Sequence, residues 1–172
     1  MAADETETNY KFRIISLGEG AVGKTAITHS FKCRYLWDNT QIYSFLFKNF
    51  ICKRNEQTIL LQFWDKRQVK SITDLLIPKL LKEASAILFV FSVESRESFE
   101  KLPYWLDLAK ELEIPKILVG NKMDLIQTRV ITQEEAQQFA QEHNLPYIET
   151  SAKKKTNLQN LLDLLLDMLG VP

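Results

Sequence analysis

The chain has 172 residues, 45% of them hydrophobic and 26% charged, and its basic and acidic side chains cancel to zero net charge. A chain of that length and composition buries one sizeable globular core. Zero net charge excludes the general attraction to nucleic acid or to an anionic membrane that a basic chain would have. The opening MAADETETN is acidic and polar, unlike a secretory or mitochondrial leader, so residues 1–9 read as a flexible lead to a single domain over 10–172.

In chain order, Tyr10–Leu17 (YKFRIISL) is an apolar, β-prone run. It is followed by Gly18-Glu19-Gly20-Ala21-Val22-Gly23-Lys24-Thr25, a G-x-x-x-x-G-K-T phosphate-binding loop that holds three of the five glycines in the chain. Glycines let such a loop curl tightly and turn its N–H groups toward phosphate oxygens. Lys24 adds a point charge for the outer phosphates, and the Thr25 hydroxyl suits Mg2+. Ala26–Cys33 then reads as helix, completing the strand–loop–helix order that aims a helix N-terminus at an anion.

Phe45–Lys53 and Thr58–Trp64 read as strands joined by the polar turn Arg54–Gln57, a closeness that favours an antiparallel pair. Ala86–Val93 (AILFVFSV) is a continuous apolar run, as expected of a strand buried on both faces. Glu97–Leu112 has a helical pattern disturbed at Pro103. Lys116–Gly120 reads as another buried strand, and Thr132-Gln133-Glu134-Glu135 as a capping box that starts a helix. Pro146–Glu149 is a short last strand. Leu158–Leu169 is a helix with Asp163 and Asp167 opposite its leucines, far shorter than the ~20 apolar residues a membrane span needs. The sum is an α/β doubly wound sheet of about six strands, mostly parallel with one antiparallel edge strand, with helices on both faces and ligands expected beyond the C-terminal strand ends.

Cys33 and Cys52, alone and without a leader, read as buried thiols in a reducing, cytoplasmic compartment. His29 and His143 are far apart in sequence, which argues against a metal or triad role. Lys153-Lys154-Lys155 reads as a solvated lead-in to the last helix.

Two further motifs follow predicted strands: Asn121-Lys122-Met123-Asp124 after KILVG, and Thr150-Ser151-Ala152-Lys153 after PYIE. Each is weak alone; their joint occurrence behind the P-loop is not. The chain here resembles the small GTPases of the Ras superfamily over essentially its whole length. Ser98-Phe99 with Trp105, Trp64-Asp65, and the run Glu149-Thr150-Ser151-Ala152-Lys153 resemble the Rab branch. The resemblance implies GTP or GDP with Mg2+ as ligands. Residues 18–25 would hold the phosphates, and Thr25 and Asp65 the metal. Asp124 would accept the two guanine N–H groups, Asn121 would hold the loop and touch the base edge, and Lys122 would lay its stem on the base plane. Ser151, Ala152 and Lys153 would complete the pocket, with the Ala152 N–H facing the guanine carbonyl. An aromatic residue that usually packs near the base falls on Leu36, flanked by Tyr35 and Trp37. The resemblance also implies effector or regulator proteins bound through residues about 38–50 and 65–80, a role in signalling or vesicle trafficking, and no nucleic-acid partner.

The departures from the family pattern lie in the two switches. Where W-D-T-A-G-Q-E is common, this chain reads Trp64-Asp65-Lys66-Arg67-Gln68-Val69-Lys70. Gln68 replaces the glycine whose N–H senses the γ-phosphate, and Val69 stands where a glutamine orients the attacking water. No glycine occurs between Gly23 and Gly120 to replace it. In the first switch, Tyr43 falls on the position of the metal-touching threonine, with Ser44 and Thr40 the nearest hydroxyls. The apolar cluster Ile42, Tyr43, Phe45, Leu46, Phe47 and Phe50 reads as an ordinary strand or as a protein-binding surface.

Three functions remain open at this point: a guanine-nucleotide switch with weak or absent hydrolysis and no assigned catalytic residue, a GTPase completed by a partner, and a non-switching adaptor that keeps only the fold. An ATP-using P-loop kinase leaves Asn121–Asp124 and Ser151–Lys153 unexplained. The closing Leu169-Gly170-Val171-Pro172 has no cysteine to prenylate, so membrane attachment is expected only through a lipidated tail or a partner.

Overall fold

The computed structural model describes residues 8–31, 34–36, 47–64 and 77–172. Its described strands form one seven-stranded sheet in the order β2-β3-β4-β1-β5-β6-β7. The strands are β1 (Tyr10–Leu17), β2 (Arg34–Leu36), β3 (Phe47–Arg54), β4 (Gln57–Trp64), β5 (Ala86–Ser92), β6 (Lys116–Asn121) and β7 (Tyr147–Glu149). Helices are α1 (Lys24–Ser30), α2 (77–82), α3 (Arg96–Glu100), α4 (Leu102–Leu108), α5 (Gln133–Glu142) and α6 (Leu158–Met168).

Five strands, β4, β1, β5, β6 and β7, run parallel, and β3 pairs antiparallel with β4. The expected doubly wound sheet with one antiparallel strand is therefore present. The three-residue β2, which periodicity cannot pick out at that length, pairs with β3 and places the antiparallel strand one position in from the edge. The β3–β4 turn is two residues long, Asn55 and Glu56, both at positive φ (45° and 66°). That is the turn whose twist matches a hairpin, here built without glycine.

Both faces of the sheet are covered, and the alternation along β5 shows how. Ala86, Leu88 and Val90 join one core with Ile14, Ile27, Phe50, Phe63 and the α6 leucines. Ile87, Phe89 and Phe91 join the other with Ile15, Trp64, Phe99, Trp105, Ala136 and Ala140. Side chains alternate across a strand, so a strand packed on both faces must be apolar throughout. Phe50, read as either core or surface, is core, 2% exposed.

Several boundaries differ from expectation. Helix α1 starts at Lys24, directly off the glycine loop, and ends at Ser30, short of the predicted Cys33. The predicted helix 97–112 is two helices, interrupted at Lys101, and the second ends at Leu108. Pro103 sits in the first turn of α4, where its missing N–H is harmless. The capping box holds: Thr132 Oγ1 accepts from the Glu135 N–H at 3.1 Å. Asn9, placed in the flexible lead, is tied to β4, its N–H donating to the Thr58 carbonyl. Cys52 is a buried thiol as expected; Cys33 and residues 1–7 lie outside the described residues. Among the described residues, no group of His, Cys, Asp and Glu could hold a metal, and no helix is long and apolar enough to cross a membrane.

Leu165 is fully buried against the sheet, whereas Asp167 holds a largely exposed ion pair with Arg54. Urea unfolding followed by circular dichroism should show Leu165→Ala losing about 2–5 kcal/mol, from lost transfer energy plus a cavity. Asp167→Ala should lose less than about 1 kcal/mol.

Candidate functional site

Parallel strands bring their C-terminal ends to one edge, and the chain reverses direction across the sheet between β1 and β5. The glycine loop leaves β1 at this switch point. Gly18 has φ +143°, and a Cβ there would lie 2.0 Å from the Val90 carbonyl oxygen of β5. Gly23 has φ +96°, and a Cβ there would lie 2.2 Å from Asn121 Nδ2. Both positions exclude a side chain on conformation and on space.

Lys24 turns back beneath the loop, and its Nζ donates to the carbonyls of Gly18, at 2.7 Å, and Glu19. Its ammonium thus sits in the concavity the loop encloses. Gly23 caps α1 without a side-chain acceptor, so no cap competes for the donors of the first turn. Thr25, in that turn, lines a small cleft with Ser16, Lys24, Thr28, Lys48 and Trp64.

Asn121 joins the three motifs. It is 1% exposed. Its Nδ2 donates to the Val22 carbonyl of the glycine loop at 2.9 Å. Its Oδ1 accepts from Thr150 Oγ1 at 3.1 Å and from the Ala152 N–H at 3.2 Å. The amide oxygen is engaged twice and the nitrogen once inside the protein, so Asn121 ties the site together, and the Ala152 N–H expected to face a ligand donates to it.

Asp124 and Ser151 meet across the same edge: Ser151 Oγ donates to Asp124 Oδ1 at 2.5 Å and accepts from the Lys154 N–H at 2.9 Å. Asp124 is half-buried, and among the described residues its Oδ2 has no hydrogen-bond partner. Ser151 is fully buried. Lys122 takes a positive φ of 66° and pairs its Nζ with Glu94 Oε1 at 2.6 Å, which stretches its stem across the mouth between the β5 and β6 ends. Lys153, Lys154 and Lys155 are exposed.

Sequence reading missed the supports of this edge. Glu94 holds Lys122. Ser98 Oγ accepts from the Ser92 N–H and donates to the Ser95 carbonyl, pinning the turn that carries Glu94. Glu149 takes Arg129 in a fork, at 2.9 and 2.7 Å, and accepts from the Tyr147 hydroxyl at 2.7 Å. Burial opposes the charge on Glu149, but the hydrogen bonds from Arg129 and Tyr147 outweigh it and hold its carboxyl below the usual range. Hydrogen bonding to Glu149 raises Arg129. Burial, with the bond to Glu149, pushes the Tyr147 hydroxyl up. The signals for these groups were Ser98 of the Ser98-Phe99 pair and the glutamate of the E-T-S-A-K run; nothing local marks Arg129, twenty residues earlier.

Not every predicted site residue is brought in. Leu36 ends β2 opposite Asn49, and its side chain lies outside the described residues, as do Asp65, Gln68, Val69, Tyr43 and most of the proposed partner surfaces 38–50 and 65–80. β4 ends at Trp64, paired with Ile15 of β1.

The sequence model of the Ras family matches residues 13–169. The chain is 30% identical to the Ras-related protein Rab-33 of Caenorhabditis elegans across 98% of its own length. It is 32% identical to the GTP-binding protein YPTM2 of Zea mays and to the Ras-related protein RABD2a of Arabidopsis thaliana, each across 89% of its length. It spans 58% of the first relative and 77% of the other two. With its P-loop, Asn121–Asp124 and Ser151–Lys153 gathered on one sheet edge, the chain belongs to the Ras family as a Rab-like small GTPase.

Proposed function

We propose that this chain binds a guanine nucleotide with Mg2+ at the edge shared by β1, β5 and β6, and works as a regulatory protein-binding switch with weak or absent intrinsic GTP hydrolysis. The observation that carries the reading is the Asn121 amide, which holds the phosphate loop and the Asp124–Ser151 pair in one frame.

In this reading Asp124 accepts the two guanine N–H groups while Ser151 holds its Oδ1. Adenine lacks that donor pair, and a half-buried carboxylate left without donors rejects it. Lys122 covers the base with its stem, anchored at its far end by Glu94. Lys24 exchanges loop carbonyls for phosphate oxygens, the donor chemistry its position already suits. Thr25 and Asp65 would hold Mg2+, which when bound neutralises phosphate charge.

Two sequence positions support the weak-hydrolysis reading. Val69 cannot orient water, and Gln68 cannot supply the unhindered backbone of a glycine. Effector or regulator proteins would meet the chain through residues about 38–50 and 65–80, and membrane attachment would require a lipidated tail or a partner.

Calorimetric titration should show Asp124→Asn weakening GTP at least about a hundredfold, since one of the two hydrogen bonds is replaced by a donor facing a donor and the other is no longer made to a charge. The same variant should gain affinity for xanthosine triphosphate, whose 2-oxo group matches an amide donor. Equal affinity for GTP and ATP in the unmutated chain would overturn the guanine reading. In single-turnover assays, Gln68→Gly/Val69→Gln should raise hydrolysis at least about tenfold over the unmutated chain, a conservative share of what one transition-state donor supplies. Ready turnover by the unmutated protein alone would contradict weak hydrolysis.

A further inference from the structure

The loop that carries Asp124 is anchored at both ends. Its near end is tied at Asn121 and by the Met123 N–H donating to the Thr150 carbonyl at 3.0 Å. After a short 3-10 turn, Ile126–Thr128, its far end is tied at Arg129. Both Arg129 Nη atoms grip the Glu149 carboxylate, and Nη1 also donates to the Ile131 carbonyl at 3.1 Å. Glu149 stands two residues before Ser151, the partner of Asp124. Its carboxylate also takes the Tyr147 hydroxyl, and its carbonyl takes Asn157 Nδ2 at 2.9 Å. The Tyr147 ring stacks on Phe91 at 6.3 Å, and its hydroxyl lies where a Cβ on Gly120 would come within 2.8 Å.

This is more than a surface ion pair. The Arg129 and Glu149 side chains are 21% and 7% exposed, so salt screens the pair weakly and the fork fixes an orientation as well as a distance. It spans the two segments whose tips form the Asp124–Ser151 bond, on the side of the loop that Asn121 does not reach.

We infer that Arg129, Glu149 and Tyr147 are positioning residues that clamp the Asp124 loop against the Ser151 turn, and so set the preference for guanine over hypoxanthine nucleotides. The inference rests on the guanine reading above. Hypoxanthine lacks the 2-amino group of guanine, so it loses one of the two hydrogen bonds to the Asp124 carboxylate. Discrimination between the two bases depends on that carboxylate being held at the right place, whereas overall fold and phosphate binding affect both alike.

The test is the ratio of the inosine diphosphate to the guanosine diphosphate dissociation constant, measured on the full chain with Mg2+ by displacement of a fluorescent nucleotide. Arg129→Ala and Glu149→Gln should each shrink the ratio several-fold, their combination should shrink it no further, and Arg129→Lys should fall between. Glu149→Gln removes the charge and keeps an acceptor for Tyr147, so it avoids stranding a buried carboxylate and keeps the fold testable. Variants that weaken both nucleotides equally, leaving the ratio unmoved, would show a merely structural pair and overturn the inference. An unmutated chain that holds both nucleotides equally well would instead overturn the guanine reading beneath it.

Discussion

One buried amide organises this molecule's working edge. Asn121 ends β6 and has a donor and an acceptor pointing opposite ways, so it fastens the phosphate loop on one side and the Thr150–Ala152 turn on the other. A parallel sheet makes this possible, because β1, β5, β6 and β7 all deliver their C-terminal residues to the same edge. Gly23 is part of the same constraint: any side chain there would occupy the space of the Asn121 amide. Motifs about one hundred residues apart in sequence are thereby one site in space.

The site is built in layers around that bracket. In the proposed function Lys24 and the glycine loop would face the anion, and Asp124 and Ser151 the base. Behind them stand residues that touch no proposed ligand: Glu94 steadying Lys122, Ser98 pinning the β5–α3 turn, and Arg129 with Glu149 closing the loop from behind. Groups whose own positions are over-determined by packing and hydrogen bonds keep their geometry without reorganising at the moment of binding, which is what a selective polar site requires. The departures at Tyr43, Gln68 and Val69 lie in sequence outside the Gly18–Thr25, Asn121–Asp124 and Ser151–Lys153 motifs, so the proposed binding and the proposed weak hydrolysis rest on different residues.

How far the sequence was legible follows from how local each signal is. β1, β4, β5 and α6 were readable within a residue or two because each is a sustained apolar pattern of one period, and the Thr132 cap because its motif is self-contained. β2 was invisible because three residues carry no period. The break at Lys101 was hidden because the pattern of buried residues runs on through Phe99, Leu102 and Trp105 into the same core. Lys24, Asn121, Asp124 and Ser151 could be picked out because each lies in a motif of its own, and Asn121, Asp124 and Ser151 are joined by contacts between those motifs. Arg129 was not, because its partner is twenty residues away and only the crossover from β6 to β7 brings them together. Asn121 was expected to hold the loop, and it does so through its Nδ2; its two further bonds, to Thr150 and the Ala152 N–H, depend on where its Oδ1 points, which no linear motif encodes.

The most direct test of guanine-nucleotide binding with weak hydrolysis is to denature freshly purified protein and identify the released nucleotide by ion-exchange chromatography. The account predicts GTP, close to one equivalent per chain. Release of an adenine nucleotide, or of none even after loading with excess GTP and Mg2+, would contradict it.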